Sequence, residues 1–458
     1  VKAAKGTLMM SVSGIRGIVG DTMTPELILK AASAFAAYAK NGTVVVGRDS
    51  RPTGAAISSM LTSALSLSGC SVIDLGVVPT PTVQIMVEKM KAAGGIVVSA
   101  SHNPVEWNAF KLINGSGSFF GPAEAARFFV KMNEVPAYPG WNRVGSVVIY
   151  DEPFADHLNL VLSFVNLALI KKRKFKVVLD SVNGAGSLIT RELLEKLGCE
   201  ITAIHCTPDG IFPRGAEPLA ENLKDLSAAV ISAGADIGFA QDPDADRLAV
   251  VDGTGKPVGE ELTVSLAAEH ILTKKKGPVV VNLSTTKLVE DIAVKHGVKF
   301  YRSAVGEINV VEKMRKVKAV IGGEGNGGVI SPEMHLGRDS LAGIAYLLEM
   351  MAERNKSIQE IISELPSYRM IKAKVTVDKK ISIDKLLSNI RNMYQGEKIS
   401  EVDGLRIDFI KDKDFKGGWV HLRASNTEPV FRIISEAPDE KTVKLIQSRF
   451  AGLLKKMG

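Results

Sequence analysis

Apolar positions along this chain follow two rhythms. Short unbroken runs such as Val44-Val45-Val46 and Ile96-Val97-Val98 read as strands buried on both faces. Elsewhere apolar residues return every three or four positions. Leu27, Ala31, Phe35 and Tyr38 do so, which predicts a helix with one core-facing stripe. Thr24 is its expected N-cap, Pro25 its first residue and Asn41-Gly42 its stop. Further strands are expected at 71–75, 175–179, 200–204, 236–240, 278–282 and 319–321. Strands alternating with helices predict largely parallel sheet. The strand–loop–helix–strand unit of residues 1–150 recurs over 151–255 and over 256–369, so an internal repeat of domain size is expected. From residue 370 the pattern changes. Residues 373–377 alternate like a strand with one wet face, and helices are expected near 383–394 and 442–455, so 370–458 reads as a smaller α+β domain.

Four polar stretches interrupt this apolar frame. The first is Val98-Ser99-Ala100-Ser101-His102-Asn103-Pro104. Small residues let a ligand approach the backbone, Pro104 ends regular structure, and the Ser101 hydroxyl stands where a strand runs into a loop, the usual place for chemistry in α/β sheets. An ordinary polar turn is the plain alternative. Lys111, ten residues past Ser101, is close enough in sequence to share the site, and the glycines flanking Arg16 expose its guanidinium. Taken alone, each is better explained as a surface side chain.

The second stretch, Gln241-Asp242-Pro243-Asp244-Ala245-Asp246-Arg247, follows an apolar strand. Three carboxylates this close repel unless a cation joins them. Oxygen donors suit Mg²⁺ or Ca²⁺. An EF-hand fails, because Arg247 stands at its glycine position and Gly253 at its final glutamate. Three carboxylates leave coordination open for a phosphate oxygen, which favours magnesium in phosphoryl transfer.

The third stretch, Gly322-Gly323-Glu324-Gly325-Asn326-Gly327-Gly328, spells a dinucleotide fingerprint. It runs into Val329-Ile330-Ser331-Pro332, where that fingerprint requires a helix. The remaining expectation is a mobile loop presenting Glu324 and Asn326 to sugar hydroxyls, or a plain glycine turn. The fourth, Arg423-Ala424-Ser425-Asn426-Thr427-Glu428-Pro429 with Arg432, combines guanidiniums, hydroxyls and an amide as a phosphate cradle would.

Composition narrows the partners. At 458 residues the chain exceeds one core. A net charge of +7 suits an anionic partner, nucleic acid or a phosphorylated small molecule. No stacking-aromatic pattern accompanies the charge, and the acidic cluster would repel a nucleic-acid backbone, so a small molecule is expected. No apolar run is long enough to cross a bilayer, and the first residues lack a secretory signal. Cys70, Cys199 and Cys206 lack C-x-x-C spacing. A cytoplasmic protein without a disulfide framework is expected.

Together the four stretches, from Ser13 to Arg432, resemble the α-D-phosphohexomutase family. The resemblance implies three related α/β domains with mixed sheets and a smaller fourth around a central cleft, as a monomer or homodimer. It implies exchange of phosphate between the 6 and 1 positions of a hexose phosphate, with a hexose 1,6-bisphosphate as intermediate and activator. Ser101 would be the phosphoserine, with Arg16, His102 and Lys111 completing the catalytic set and Lys111 acting as acid or base. Mg²⁺ would sit between the Ser101 phosphate and Asp242, Asp244 and Asp246, with Arg247 facing the same centre. Glu324 and Asn326 would read sugar hydroxyls. Arg423, Ser425, Asn426, Thr427 and Arg432 would hold the non-reacting phosphate.

Two departures bear on the sugar. The family's G-E-x-S-G-H loop reads G-E-G-N-G-G here, and Glu307 replaces a common histidine. With Val105-Glu106-Trp107-Asn108, these residues are most similar to archaeal phosphoglucosamine mutases, so glucosamine phosphate is expected, with glucose or mannose phosphate as alternatives. A metal-dependent phosphatase would use the same aspartates and differ in releasing phosphate. A silent sugar-phosphate binder would not need Ser101 and Lys111 intact.

Overall fold

Val44, Val45 and Val46 are fully buried because their strand, Val44–Arg48, lies between two parallel neighbours, Gly94–Val98 and Val72–Val77. Beyond Gly94–Val98 the chain returns antiparallel as Trp107–Asn114, followed by Gly14–Ile18 and Met9–Ser11. Val147–Ile149 completes a seven-stranded sheet at the other edge. The structure is a computed structural model describing residues 7–376, 382–424 and 430–457. The expected first helix is Pro25–Tyr38, capped by the Thr24 hydroxyl, which accepts from the Leu27 N–H.

The next two sheets repeat one plan. Their orders are Leu248–Asp252, Ile237–Gln241, Lys176–Asp180, Glu200–Ile204, and Gly328–Ile330, Ile321–Glu324, Val279–Asn282, Phe300–Ser303. In all three sheets the strand after the polar loop runs antiparallel to the strand before it. The sheets are therefore mixed. A parallel return needs a crossover of about a dozen residues or more, and these loops are too short for one. The glycine stretch is corrected in the same way. Gly322, Gly323 and Glu324 pair with Ile330, Val329 and Gly328, so Glu324 ends a strand in a tight hairpin and does not ride on a mobile loop.

One apolar core runs from Leu158 to Leu365 through the second and third sheets. The first and fourth units have separate cores, around Phe35, Phe110 and Phe128 and around Phe409, Phe431 and Phe450. The fourth sheet is antiparallel, ordered Arg369–Thr376, Val430–Ala437, Trp419–Ala424, Leu405–Asp408, Lys398–Ser400. Helices Ile383–Met393 and Glu440–Met457 cover one face through Leu386, Ile390, Val443 and Ile446. The other face turns toward the third unit. There the Lys372 ammonium lies 2.8 Å from both Glu260 and Glu261. No helix among the described residues is long and apolar enough to cross a membrane.

Candidate active site

Ser101 follows the buried strand Gly94–Val98 and has φ of 50°, a left-handed conformation that a serine adopts only when its surroundings impose it. Arg51 imposes it. This buried guanidinium donates to the carbonyls of Ser101 (2.7 Å), Asn103 (2.6 Å), Pro104 (2.5 Å) and Trp107 (3.1 Å). Asp49 holds Arg51 Nε at 3.0 Å and accepts from Ser99 Oγ at 2.7 Å, and Ser99 Oγ in turn accepts from the Ser101 N–H at 3.0 Å. The loop is thus clamped from below, with the Ser101 side chain facing a second loop.

That second loop is the aspartate stretch. Ser101 Oγ donates to Asp242 Oδ2 at 3.1 Å. Asp242 Oδ1 accepts from the N–H groups of Asp246 and Arg247, both at 3.1 Å, which curls the loop so that its acidic side chains converge. Lys111, on the antiparallel strand Trp107–Asn114, is buried and contacts Asp244 directly and Asp246 at 3.3 Å. A solvated lysine is excluded. Against the cost of burial, Asp244 and Asp246 raise the Lys111 pKa, so the group stays an ammonium. Arg247 Nε lies 3.6 Å from Asp246, and Arg247 Nη1 bonds Glu217 at 2.8 Å. Arg16 donates to the Asn103 side chain beside Ser101. His102 Nδ1 is 3.5 Å from Ser101 Oγ. Burial, with Arg247 and Arg16 nearby, pushes that imidazole down to about 3, so it is neutral at physiological pH.

The acidic cluster fits a hard cation. One oxygen from each of Asp242, Asp244 and Asp246 lies within 4.8 Å of the others. Asp244 Oδ1 and Asp246 Oδ1 are buried with no hydrogen-bond partner among the described residues. Such atoms are costly to bury unless something positive meets them. Burial and its two acidic neighbours raise the pKa of Asp242 well above the usual carboxylate range. A divalent ion would relieve that repulsion, and all-oxygen donors suit Mg²⁺.

The third loop joins this centre through a residue the sequence reading did not single out. Arg338 is buried and reaches three carboxylates: Asp246 (2.7 Å), Glu324 (2.8 Å) and Glu307 (3.0 Å). It therefore ties the metal-loop candidate to the sugar-loop candidate. Despite burial, Arg338 holds Glu324 below the usual range. Burial pushes Glu307 up to about 7. Asn326 Nδ2 lies 3.4 Å from Glu324, and its Oδ1 accepts from the Gly328 N–H at 3.2 Å, closing the hairpin.

In the fourth sheet Arg423 and Arg432 are direct cross-strand partners, and Lys374 lies opposite Arg432 on the next strand. Three cations in one row repel one another, which suits a face built for an anion. Ser425, Asn426 and Thr427 lie outside the described residues.

Ser101, His102, Arg16, Lys111, the three aspartates and Arg247 thus converge, with Glu324 and Asn326 joined through Arg338, while Arg423 and Arg432 lie on the fourth sheet. Arg51 and Thr80, whose N–H donates to the Asp244 carbonyl at 3.0 Å, were not anticipated. Both act through partners far away in sequence. One local sign of Arg338 existed. Asp339 caps the helix Ser340–Arg354 by accepting from the Leu341 N–H, so the residue before it had to lie on the loop at that helix start.

The phosphoglucomutase/phosphomannomutase family matches in four consecutive pieces: alpha/beta/alpha domain I over residues 8–135, domain II over 152–255, domain III over 259–368 and the C-terminal domain over 370–453. A phosphoglucomutase/phosphomannomutase of Thermococcus kodakarensis is 38% identical over 441 residues, covering 94% of this chain and 95% of its own. A protein described as a probable phosphoglucosamine mutase of Methanopyrus kandleri is 34% identical over 449 residues, covering 97% of each. The crystal structure of a phosphoglucomutase/phosphomannomutase family protein from Burkholderia thailandensis superposes with a TM-score of 0.83 at 26% identity, covering 98% of each chain. The four sheets, the convergent loops and these matches agree, and the chain belongs to the phosphoglucomutase/phosphomannomutase family.

Proposed function

We propose that this protein exchanges phosphate between the 6 and 1 positions of a hexosamine phosphate through a phosphorylated Ser101. The observation that carries the reading is Ser101 Oγ beside Asp242, at the mouth of a carboxylate cluster lined by Lys111, Arg247 and Arg338. Phosphoryl transfer needs positioned groups and neutralised charge more than a strong nucleophile.

Phospho-Ser101 would present its phosphorus to a free hydroxyl of the bound monophosphate. The hydroxyl oxygen forms the new P–O bond as the bond to Ser101 Oγ breaks. Lys111, charged in this setting, gives the departing serine oxygen a proton and recovers one from the attacking hydroxyl, so the proton count is unchanged. The resulting 1,6-bisphosphate turns end for end and returns its other phosphate to Ser101. A hexose 1,6-bisphosphate supplied from outside would prime an unphosphorylated serine by the same exchange. Asp242, Asp244 and Asp246 would hold Mg²⁺, which, when bound, offsets charge on the transferring phosphoryl group. Arg423 and Arg432 would keep the non-reacting phosphate in either orientation. Neutral His102 would line the serine side of the site. With no membrane-crossing helix among the described residues and three unpaired cysteines, we place the reaction in the cytoplasm.

Glucosamine is the favoured sugar. Glu307 and Glu324 put two carboxylates at the sugar end, and Glu307 Oε2 is buried with no aligned hydrogen-bond donor among the described residues. A sugar ammonium would complete that environment better than a neutral hydroxyl. The relatives named phosphoglucosamine mutase support the same choice, and the one named phosphoglucomutase/phosphomannomutase keeps glucose and mannose phosphates as the second reading. The test is purified protein with Mg²⁺ and a trace of glucose 1,6-bisphosphate, given the 6-phosphates of glucosamine, glucose and mannose in turn. Phosphorus NMR should show the 1-phosphate forming without inorganic phosphate, fastest from glucosamine 6-phosphate. Released inorganic phosphate would replace the mutase by a phosphatase.

A further inference from the structure

Residues 401–404 form the hairpin turn between the strands Lys398–Ser400 and Leu405–Asp408. The Asp-Gly pair marks such turns. Gly404 has φ of 72°, and a Cβ there would collide with the Leu422 carbonyl. An aspartate in such a turn commonly bonds its own backbone. Asp403 does not. Its Oδ1 accepts from Arg423 Nε at 2.9 Å, and its Oδ2 accepts from the Val305 N–H of the third unit at 3.0 Å. The sheet register explains the first contact. Leu405 pairs with Leu422, which brings the residues before Leu405 alongside Arg423.

The second contact reaches the sugar end of the site. Val305 N–H meets Asp403, and the next amide, Gly306 N–H, donates to Glu324 Oε1 at 3.0 Å. Two consecutive backbone amides therefore hold carboxylates from two units. A further bond fastens the turn. His421 Nε2 lies 2.6 Å from the Asp403 carbonyl, and its Nδ1 lies 3.0 Å from Ser284 Oγ. The carbonyl can only accept, so Nε2 carries the proton. Burial, foremost, pushes His421 down to about 4, so the ring is neutral and Nδ1 accepts from the serine. The Arg423 nitrogen engaged by Asp403 is the inner one. The outer pair, Nη1 and Nη2, is the edge that grips a phosphate.

We propose that Asp403 is a positioning residue that orients Arg423 toward the non-reacting phosphate and couples that arginine to the Val305–Glu324 corner that reads the sugar. The inference rests on the mutase reading for its substrate.

The test compares Asp403→Asn, Arg423→Ala and the double variant. Asparagine keeps the size but turns a donor toward one of the two donors Asp403 now accepts from. In Asp403→Asn, KM for glucosamine 6-phosphate should rise about tenfold, with kcat within about threefold. The dissociation constant for inorganic phosphate, read by calorimetry without turnover, should rise similarly. Adding Asp403→Asn to Arg423→Ala should change either quantity by less than twofold, because the asparagine then has no arginine to misplace. A merely structural aspartate would give the same penalty in both backgrounds, and that result, or an unchanged KM in the single variant, overturns the proposal. If Asp403→Asn does not fold, Asp403→Glu takes its place, with a threefold rise expected and the same test of coupling. A wild-type protein inactive on every hexose phosphate would remove the mutase reading, while the phosphate titrations would still decide the role of Asp403.

Discussion

Ser101 Oγ and Asp242 Oδ2 are 3.1 Å apart, although the residues are separated by 141 positions and follow strands of different sheets. The contact depends on a close approach of two units. Ser50 Oγ donates to the Asn183 carbonyl at 2.7 Å, and Gly210, with φ of 71°, packs where a Cβ would strike Ser50 and Arg51. The nucleophile candidate and the metal-site candidate are set by that interface.

Replacing the serine separates chemistry from strain. Ser101→Ala and Ser101→Gly both remove the hydroxyl, so both should lower kcat by at least about a thousandfold. Only glycine is at ease at φ of 50°. Ser101→Gly should therefore exceed Ser101→Ala in stability by about 1 kcal/mol, read from thermal or denaturant unfolding. Equal stabilities would mean the loop relaxes once the hydroxyl is gone, and appreciable turnover in either variant would remove Ser101 from the reaction.

Much of this was legible because apolar strands and the polar loops that follow them are local patterns. Val44–Val46, Ile96–Val98 and the aspartate stretch each announce themselves within a few residues. The antiparallel return strands were less visible. Trp107–Asn114 is neither a clean alternation nor an apolar run, because it carries two buried polar residues, Asn108, which donates to Thr53 Oγ1, and Lys111, which faces the aspartates. The glycine stretch misled for a related reason. Its glycines make a tight hairpin, and only the pairing of Gly323 with Val329 reveals that. Arg51, Arg338 and Asp403 matter through partners that the fold supplies, and an isolated arginine or aspartate in a sequence does not name its partner.

Arg338 is the counter-charge common to Asp246, Glu324 and Glu307. Arg338→Met should leave three buried carboxylates short of a partner and destabilise the protein by about 3 kcal/mol at neutral pH. Added Mg²⁺ should raise the unfolding temperature more in this variant than in the wild type, since the ion would supply charge that the arginine no longer does. An unfolding temperature that Mg²⁺ leaves unchanged in both proteins would count against a cation among the aspartates.

Glu307 tests the sugar assignment. Its Oε1 lies 3.3 Å from Gln84 Nε2, so glutamine at 307 keeps the size while losing the charge. In Glu307→Gln, the ratio of kcat/KM for glucosamine 6-phosphate over glucose 6-phosphate should fall about tenfold, in line with the loss of one charge-assisted contact. If both substrates slow equally, Glu307 serves the site's structure and does not choose between an amine and a hydroxyl.

Acid stability should depend on Glu269, far from the chemistry. Its buried carboxylate accepts from Lys295 Nζ (2.7 Å) and Arg354 Nη2 (2.8 Å) and lies 2.9 Å from His296 Nε2. It thus ties the ends of the helices Leu288–Lys295 and Ser340–Arg354 to the middle of Glu260–Lys274. Burial opposes its ionisation, yet hydrogen bonds from Lys295, Arg354 and His296 bring it down to about 2. A carboxylate with a lowered folded-state pKa contributes stability that is complete above its unfolded value of about 4.5 and fades as pH falls toward the folded one. That contribution is on the order of 2 kcal/mol at neutral pH. Glu269→Gln should therefore lower stability near pH 7 by about that amount, and the gap to the wild type should shrink between about pH 4.5 and pH 2. A gap that stayed constant through that window, in urea unfolding followed by circular dichroism, would show that Glu269 contributes by its shape and not by its charge.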